Sequence, residues 1–123
     1  MNNYEALQKF FEGFGIPAYV SSSTPEQAKY PYLTYSPVVG DFTDGEVSME
    51  VDLWYYTTSE AAPNNKAREI YNAIGMGGVM LKHDEGAIWV KRGNPWCQSV
   101  PDTNEMIKRR YINIDLEYIG AQL

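Results

Sequence analysis

The run E-V-S-M-E-V-D-L-W-Y-Y-T-T, from Glu46 to Thr58, decides the fold. Val47, Met49, Val51, Leu53 and Tyr55 occupy every second position, and Glu46, Ser48, Glu50 and Asp52 fill the alternate ones. Period two is the signature of a strand with one buried face. Strands usually stop after about five or six residues, so one this long is expected to project beyond its own core. A second run lies near the end of the sequence, where Arg110, Ile112, Ile114, Leu116 and Tyr118 alternate with Tyr111, Asn113, Asp115 and Glu117. The two are expected to share one sheet. Val47, Met49, Val51, Leu53, Ile112, Ile114 and Leu116 would then form one core with Phe10, Phe11, Ile70 and Ile74.

Two stretches carry helical spacing instead. Leu7, Phe10, Phe11 and Phe14 form an i, i+3, i+4, i+7 stripe over Tyr4 to Phe14, ended by Gly13 and Gly15. Ala67, Ile70, Tyr71 and Ile74 repeat it over Ser59 to Ile74, with Pro63 in the first turn and Gly75 as the stop. Short strands are expected at Ala18 to Ser21 and Tyr32 to Ser36, and a hairpin at Val79 to Lys82 and Ala87 to Lys91, turned at Asp84 to Gly86. The segment Gly93 to Glu105 has two prolines and little periodicity, which predicts a long irregular loop. Val39 to Glu46 reads as a turn, with Phe42 an apolar ring among Gly and Asp that is either tucked in or offered to a partner. The expected fold is α+β: a mainly antiparallel sheet with long amphipathic strands and two helices packed on one face, in the coarse order α, β, β, α, β, β, β. Residues 1–123 are expected to form a single domain.

Composition narrows function by exclusion. Ten basic against 16 acidic residues give a net charge of -6, which argues against a monomer that grips nucleic acid through its phosphates. The N-terminus lacks a basic segment followed by an apolar one, and no apolar run approaches membrane-spanning length, so a cytoplasmic protein without membrane contact is expected. One His and one Cys leave little for a metal site or a thiol nucleophile. The H-D-E-G cluster at His83 suits a turn, and Cys97 lacks an evident orienting group for a Cys-His pair. Glu50, Asp52, Asp115 and Glu117 continue the polar alternation of two strands, which explains them without acid-base chemistry. No enzyme activity, cofactor, metal or small-molecule substrate is expected.

Charge layout is more informative. The polar faces of the long strands are acidic, whereas Lys82, Lys91, Arg92, Lys108, Arg109 and Arg110 gather at hairpin ends and at the start of the last strand. If the long strands were neighbours in facing register, Glu50 and Asp52 would oppose Asp115 and Glu117, and like charges directly opposite destabilise a sheet. A cation must compensate, from this chain or from another subunit. Separate acidic and basic surfaces suit a head-to-tail contact, which closes into a ring when the rotation permits.

Four phrases, Y-P-Y-L-T-Y at Tyr30 to Tyr35, M-E-V-D-L-W-Y-Y at Met49 to Tyr56, G-A-I-W-V at Gly86 to Val90 and the closing R-R-Y-I-N-I-D-L-E-Y-I, resemble the tail-terminator (tail-completion) proteins of long-tailed bacteriophages and prophages. The resemblance implies a non-enzymatic virion assembly protein, made in the bacterial host cytoplasm. Such proteins form homo-oligomeric rings, usually hexamers, that cap the head-proximal end of the tail tube and join it to the head connector. Head-tail joining (connector) proteins are the alternative of similar size, and a small thiol or carboxylate-dependent hydrolase is the alternative from another class. On the tail-terminator reading the partners are the chain itself, the tail-tube protein and the connector, with DNA as passing cargo. Phe42, Lys91, Arg92, Trp96, Arg109 and Arg110 are then candidate subunit contacts, and Glu46, Glu50, Asp52, Asp115 and Glu117 candidate lumen-facing carboxylates. Val39 to Glu46 and Gly93 to Glu105 are the expected docking loops.

Overall fold

A computed structural model describes residues 1–38 and 45–120. Its elements run α1 (Asn3–Glu12), β1 (Ala18–Val20), β2 (Tyr32–Tyr35), β3 (Glu46–Tyr56), α2 (Ala61–Ile74), β4 (Val79–His83), β5 (Gly86–Val100) and β6 (Ile107–Gly120). The fold is α+β, with one six-stranded sheet in the order β1-β2-β3-β6-β5-β4. Only β1 and β2 pair in parallel. The expected order of elements holds once the short strand β1 is counted. Phe42 and most of the expected turn before β3 lie outside the described residues.

Both helices have local reasons to start. Asn2 caps α1 by accepting from the Glu5 amide, and the Glu5 carboxylate accepts from the Asn2 amide in return. Ser59 Oγ accepts from the amide of Ala61, and Pro63 sits in the first turn of α2. Gly75, at a φ of 75°, ends α2 in a backbone region that disfavours side chains.

The two helices lie on one face of the sheet. The buried set includes Met49, Val51, Leu53, Ile112, Ile114 and Leu116 with Phe11, Ile70 and Ile74, as the alternation predicts; Val47 and Phe10 pack at its margin. Leu33, Ile88 and Val90 add the inward residues of β2 and β5. Helix α1 touches both edge strands, β1 and β4, so the sheet curls around it. Helix α2 covers β3, β5 and β6. The long strands therefore do not project from the core: the inward side chains of β3 are buried from Met49 to Tyr55, and those of β6 from Arg110 to Tyr118.

Two further expectations are corrected. The segment Gly93 to Glu105 is not an irregular loop, because β5 continues to Val100 and Cys97 to Val100 still pair with β6. A bulge interrupts it: Arg92 pairs with Ile114 and Cys97 with Ile112, so Gly93 to Trp96 lie opposite Asn113 alone. Asn113 holds the bulge by donating its side-chain amide to the Pro95 carbonyl at 2.6 Å. The second correction is register. Glu50 lies opposite Asn113 and Asp52 opposite Tyr111, leaving Glu46 and Glu117 as the carboxylates placed face to face.

Candidate functional site

Alternation sends the polar half of each long strand to the face that the helices leave bare. From β3 come Glu46, Ser48, Glu50, Asp52, Trp54 and Tyr56; from β6 come Arg109, Tyr111, Asn113, Asp115 and Glu117. Among the described residues this is the open face of the sheet. It brings together all five carboxylates that the sequence marks as candidates.

The compensating cations come from within the chain. Lys91 Nζ donates to Glu46 at 2.7 Å and to Glu117 at 3.1 Å, which resolves the face-to-face pair, and it lies 3.9 Å from the centre of the Trp89 ring. Arg109 reaches diagonally across β3, its Nε 2.9 Å from Asp52 and its Nη2 3.4 Å from Glu50. The same guanidinium sits 4.8 Å from the centre of the Trp54 ring. Asp52 is buried under this arrangement although it points away from the core. A hydrogen bond shared with Asp52, then partial burial and the Asp52 charge, push the Glu50 carboxyl up to about 7, against the pull of Arg109.

Beside the carboxylates lies a run of aromatic rings. Tyr19 meets Tyr32 edge-on at 6.0 Å, Tyr32 stacks on Trp54 at 6.2 Å, and Tyr30 contacts Tyr32 at 5.3 Å and Tyr56 at 5.7 Å. Trp54 Nε1 donates to Thr34 Oγ1 at 2.9 Å, which fixes the indole in the plane of the ladder. Tyr30 and Tyr56 remain exposed at its margin. Contiguous aromatic surface rimmed by charge makes this part of the open face a candidate interaction surface. The sequence reading missed this ladder. Its signal was present in the alternation of Tyr30 with Tyr32 and of Trp54 with Tyr56; what could not be read was the register that sets Tyr32 against Trp54.

The remaining candidates are dispersed. Arg109, expected as a rim cation for a neighbouring subunit, is engaged inside the open face. Arg110 points the other way and is buried, with Nη2 on Glu60, Nε on Asn64 and Nη1 on Ser99. That hydrogen bond holds the Glu60 carboxyl below its usual range. Neither arginine is a free docking charge. Arg92 also lies on the helix side, stacked 3.4 Å from the centre of the Tyr71 ring and donating Nε to the Tyr71 carbonyl. Trp96 meets Tyr71 edge-on at 5.4 Å, and its buried Nε1 has no hydrogen-bond partner among the described residues.

Cys97 and His83 do not meet. Cys97 lies beside Ile112 and His83 pairs with Gly86, itself beside Gly120, so the two are about 26 Å apart along β6 at roughly 3.3 Å per residue. Burial also pushes the Cys97 thiol up, away from the reactive thiolate. Among the described residues no group of three or more His, Cys, Asp or Glu side chains is placed to hold a metal, and no helix is long and apolar enough to cross a membrane. A scan against models of known families finds no match for this chain, and no curated protein matches it.

Proposed function

We propose that this chain is a structural subunit of a phage or prophage virion, one that caps the head-proximal end of a tail tube as a homo-oligomeric ring. One observation carries the reading. The four phrases that resemble tail terminators fall on β2, β3, β6 and β5, four strands consecutive in the sheet, and their outward residues supply most of the open face. An aromatic ladder joined to a carboxylate network gives such a subunit a broad side-chain surface for protein neighbours. Carboxylates that reach the channel would repel passing DNA phosphates and limit sticking.

The test is to add the purified protein to tail-tube protein from the same genome during polymerisation, and to measure tube lengths by negative-stain electron microscopy. Tubes that stop growing and carry a terminal ring support the reading. Unchanged length distributions with no bound protein overturn it. Binding to connector rings in place of tubes assigns the chain to head-tail joining.

A further inference from the structure

The helix side carries a second open surface. Helix α2 and the bulged part of β5 leave a groove of about 530 Å3 between them, lined by Asn64, Asn65, Arg68 and Tyr71 from the helix and by Trp96 and Cys97 from the strand. Asn64, Arg68 and Tyr71 stand four and three residues apart, so one side of the helix faces this space. Among the described residues its lining holds donors and no carboxylate. Arg68 is exposed and makes no ion pair among the described residues. Asn64 already accepts from Arg110 through Oδ1, which leaves its amide hydrogens to donate. Arg92 places a second guanidinium against the Tyr71 ring that forms part of the wall. In a chain of net charge -6, an acid-free groove with this lining selects an anionic group.

The open face supplies one. Of its five carboxylates, Glu46 and Glu117 share Lys91 and Glu50 and Asp52 share Arg109, whereas Asp115 is bonded by the Ser48 hydroxyl at 3.1 Å and has no ion pair among the described residues. Groove and open face lie on opposite sides of a single sheet. A copy that seats its open face on the groove of a second copy therefore presents its own groove to a third. Such a head-to-tail contact closes into a ring when the rotation between copies permits and otherwise runs on as a filament.

We propose that the groove between α2 and β5 receives the open sheet face of a second copy of this chain, with Asp115 of one copy paired to Arg68 of the next. The inference rests on the ring reading above and names its contact surfaces.

Charge reversal tests it on the full chain, with mass read by light scattering during size-exclusion chromatography at low ionic strength. Wild type is expected to self-associate. Arg68→Glu and Asp115→Lys should each weaken association by roughly tenfold or more. An equimolar mixture of the two, or the double variant, should recover the wild-type mass, because each reversed surface then meets a complementary one. Asp115→Asn, which avoids setting a lysine opposite Lys91, should show the same loss in smaller degree, and circular dichroism checks that each variant is folded. Single reversals that assemble like wild type overturn these surfaces while the ring reading stands. Loss without recovery in the mixture and the double variant overturns the Asp115-Arg68 pairing. A wild type that stays monomeric at every concentration and also fails to cap tubes overturns both readings. If Arg68→Glu leaves assembly intact but abolishes shifts of the Trp96 indole resonance on titration with inorganic phosphate, the groove is a small-anion site and the proposal fails.

Discussion

Arg109 lies over Asp52 like a lid, its Nε 2.9 Å from the carboxylate that the face of the sheet has otherwise sealed from water. A buried carboxylate stripped of its partner keeps its desolvation cost and loses its compensation. Arg109→Met should therefore destabilise the fold by about 1.5–3 kcal/mol, the range for hydrogen bonds to charged groups. Asp52→Asn combined with Arg109→Met should cost less than the sum of the single changes. Urea denaturation of the four proteins measures the coupling.

Glu50 sets a pH dependence of definite sign. Its folded value of about 7 exceeds the ordinary 4.5, so the folded state holds this proton more tightly than the unfolded chain does. The contribution to stability is full below about 4.5 and is lost as pH rises toward 7, then stays flat. Melting temperatures of wild type minus those of Glu50→Gln should fall between pH 4.5 and 7. Parallel curves across that window would mean that Glu50 titrates as an ordinary glutamate.

Leu53 is fully buried on the helix-covered side of β3. Leu53→Ala removes contacts on all sides and should cost about 2–5 kcal/mol in chemical denaturation. Val47→Ala, at the half-buried start of the same strand, should cost clearly less. Equal costs would mean that the core extends evenly to the strand end.

Gly93 begins the bulge, packed against the backbone of Asn113. A Cβ at this position would lie 2.5 Å from the Asn113 carbonyl oxygen, too close for the strands to keep their spacing. Gly93→Ala should destabilise by about 1–3 kcal/mol, as overpacking does. The amide resonances of Asn113 and Trp96 should shift with it, while those of β1 stay in place. A variant as stable as wild type would show that the bulge opens without cost.

Much of this architecture was legible in the chain because alternation is a local signal. Leu53 and Ile112 declare their side through their neighbours, and no partner strand need be known. Arg110 shows the same logic left unused: it shares the parity of Ile112 and Ile114, which already places it on the helix side. The extension of β5 past Gly93 was hidden because the bulge breaks the period and Pro95 removes a backbone donor. Which cation serves which carboxylate was not local either. Arg109 reaches Asp52 only because Trp54 pairs with Arg109, a register set by two strands separated by fifty residues of sequence. The aromatic ladder depends in the same way on Tyr32 meeting Trp54.

Both margins of the sheet are short, β1 with three residues and β4 with five, and α1 contacts each of them. Lys82 on β4 adds a charge of the kind that discourages further strands. Growth by backbone pairing, the route by which sheets run on into fibres, is thereby given little template at β1 and β4. A neighbour that docks on the open face is recognised through side chains, and a contact of that kind can be dissolved by salt and retuned by a single substitution.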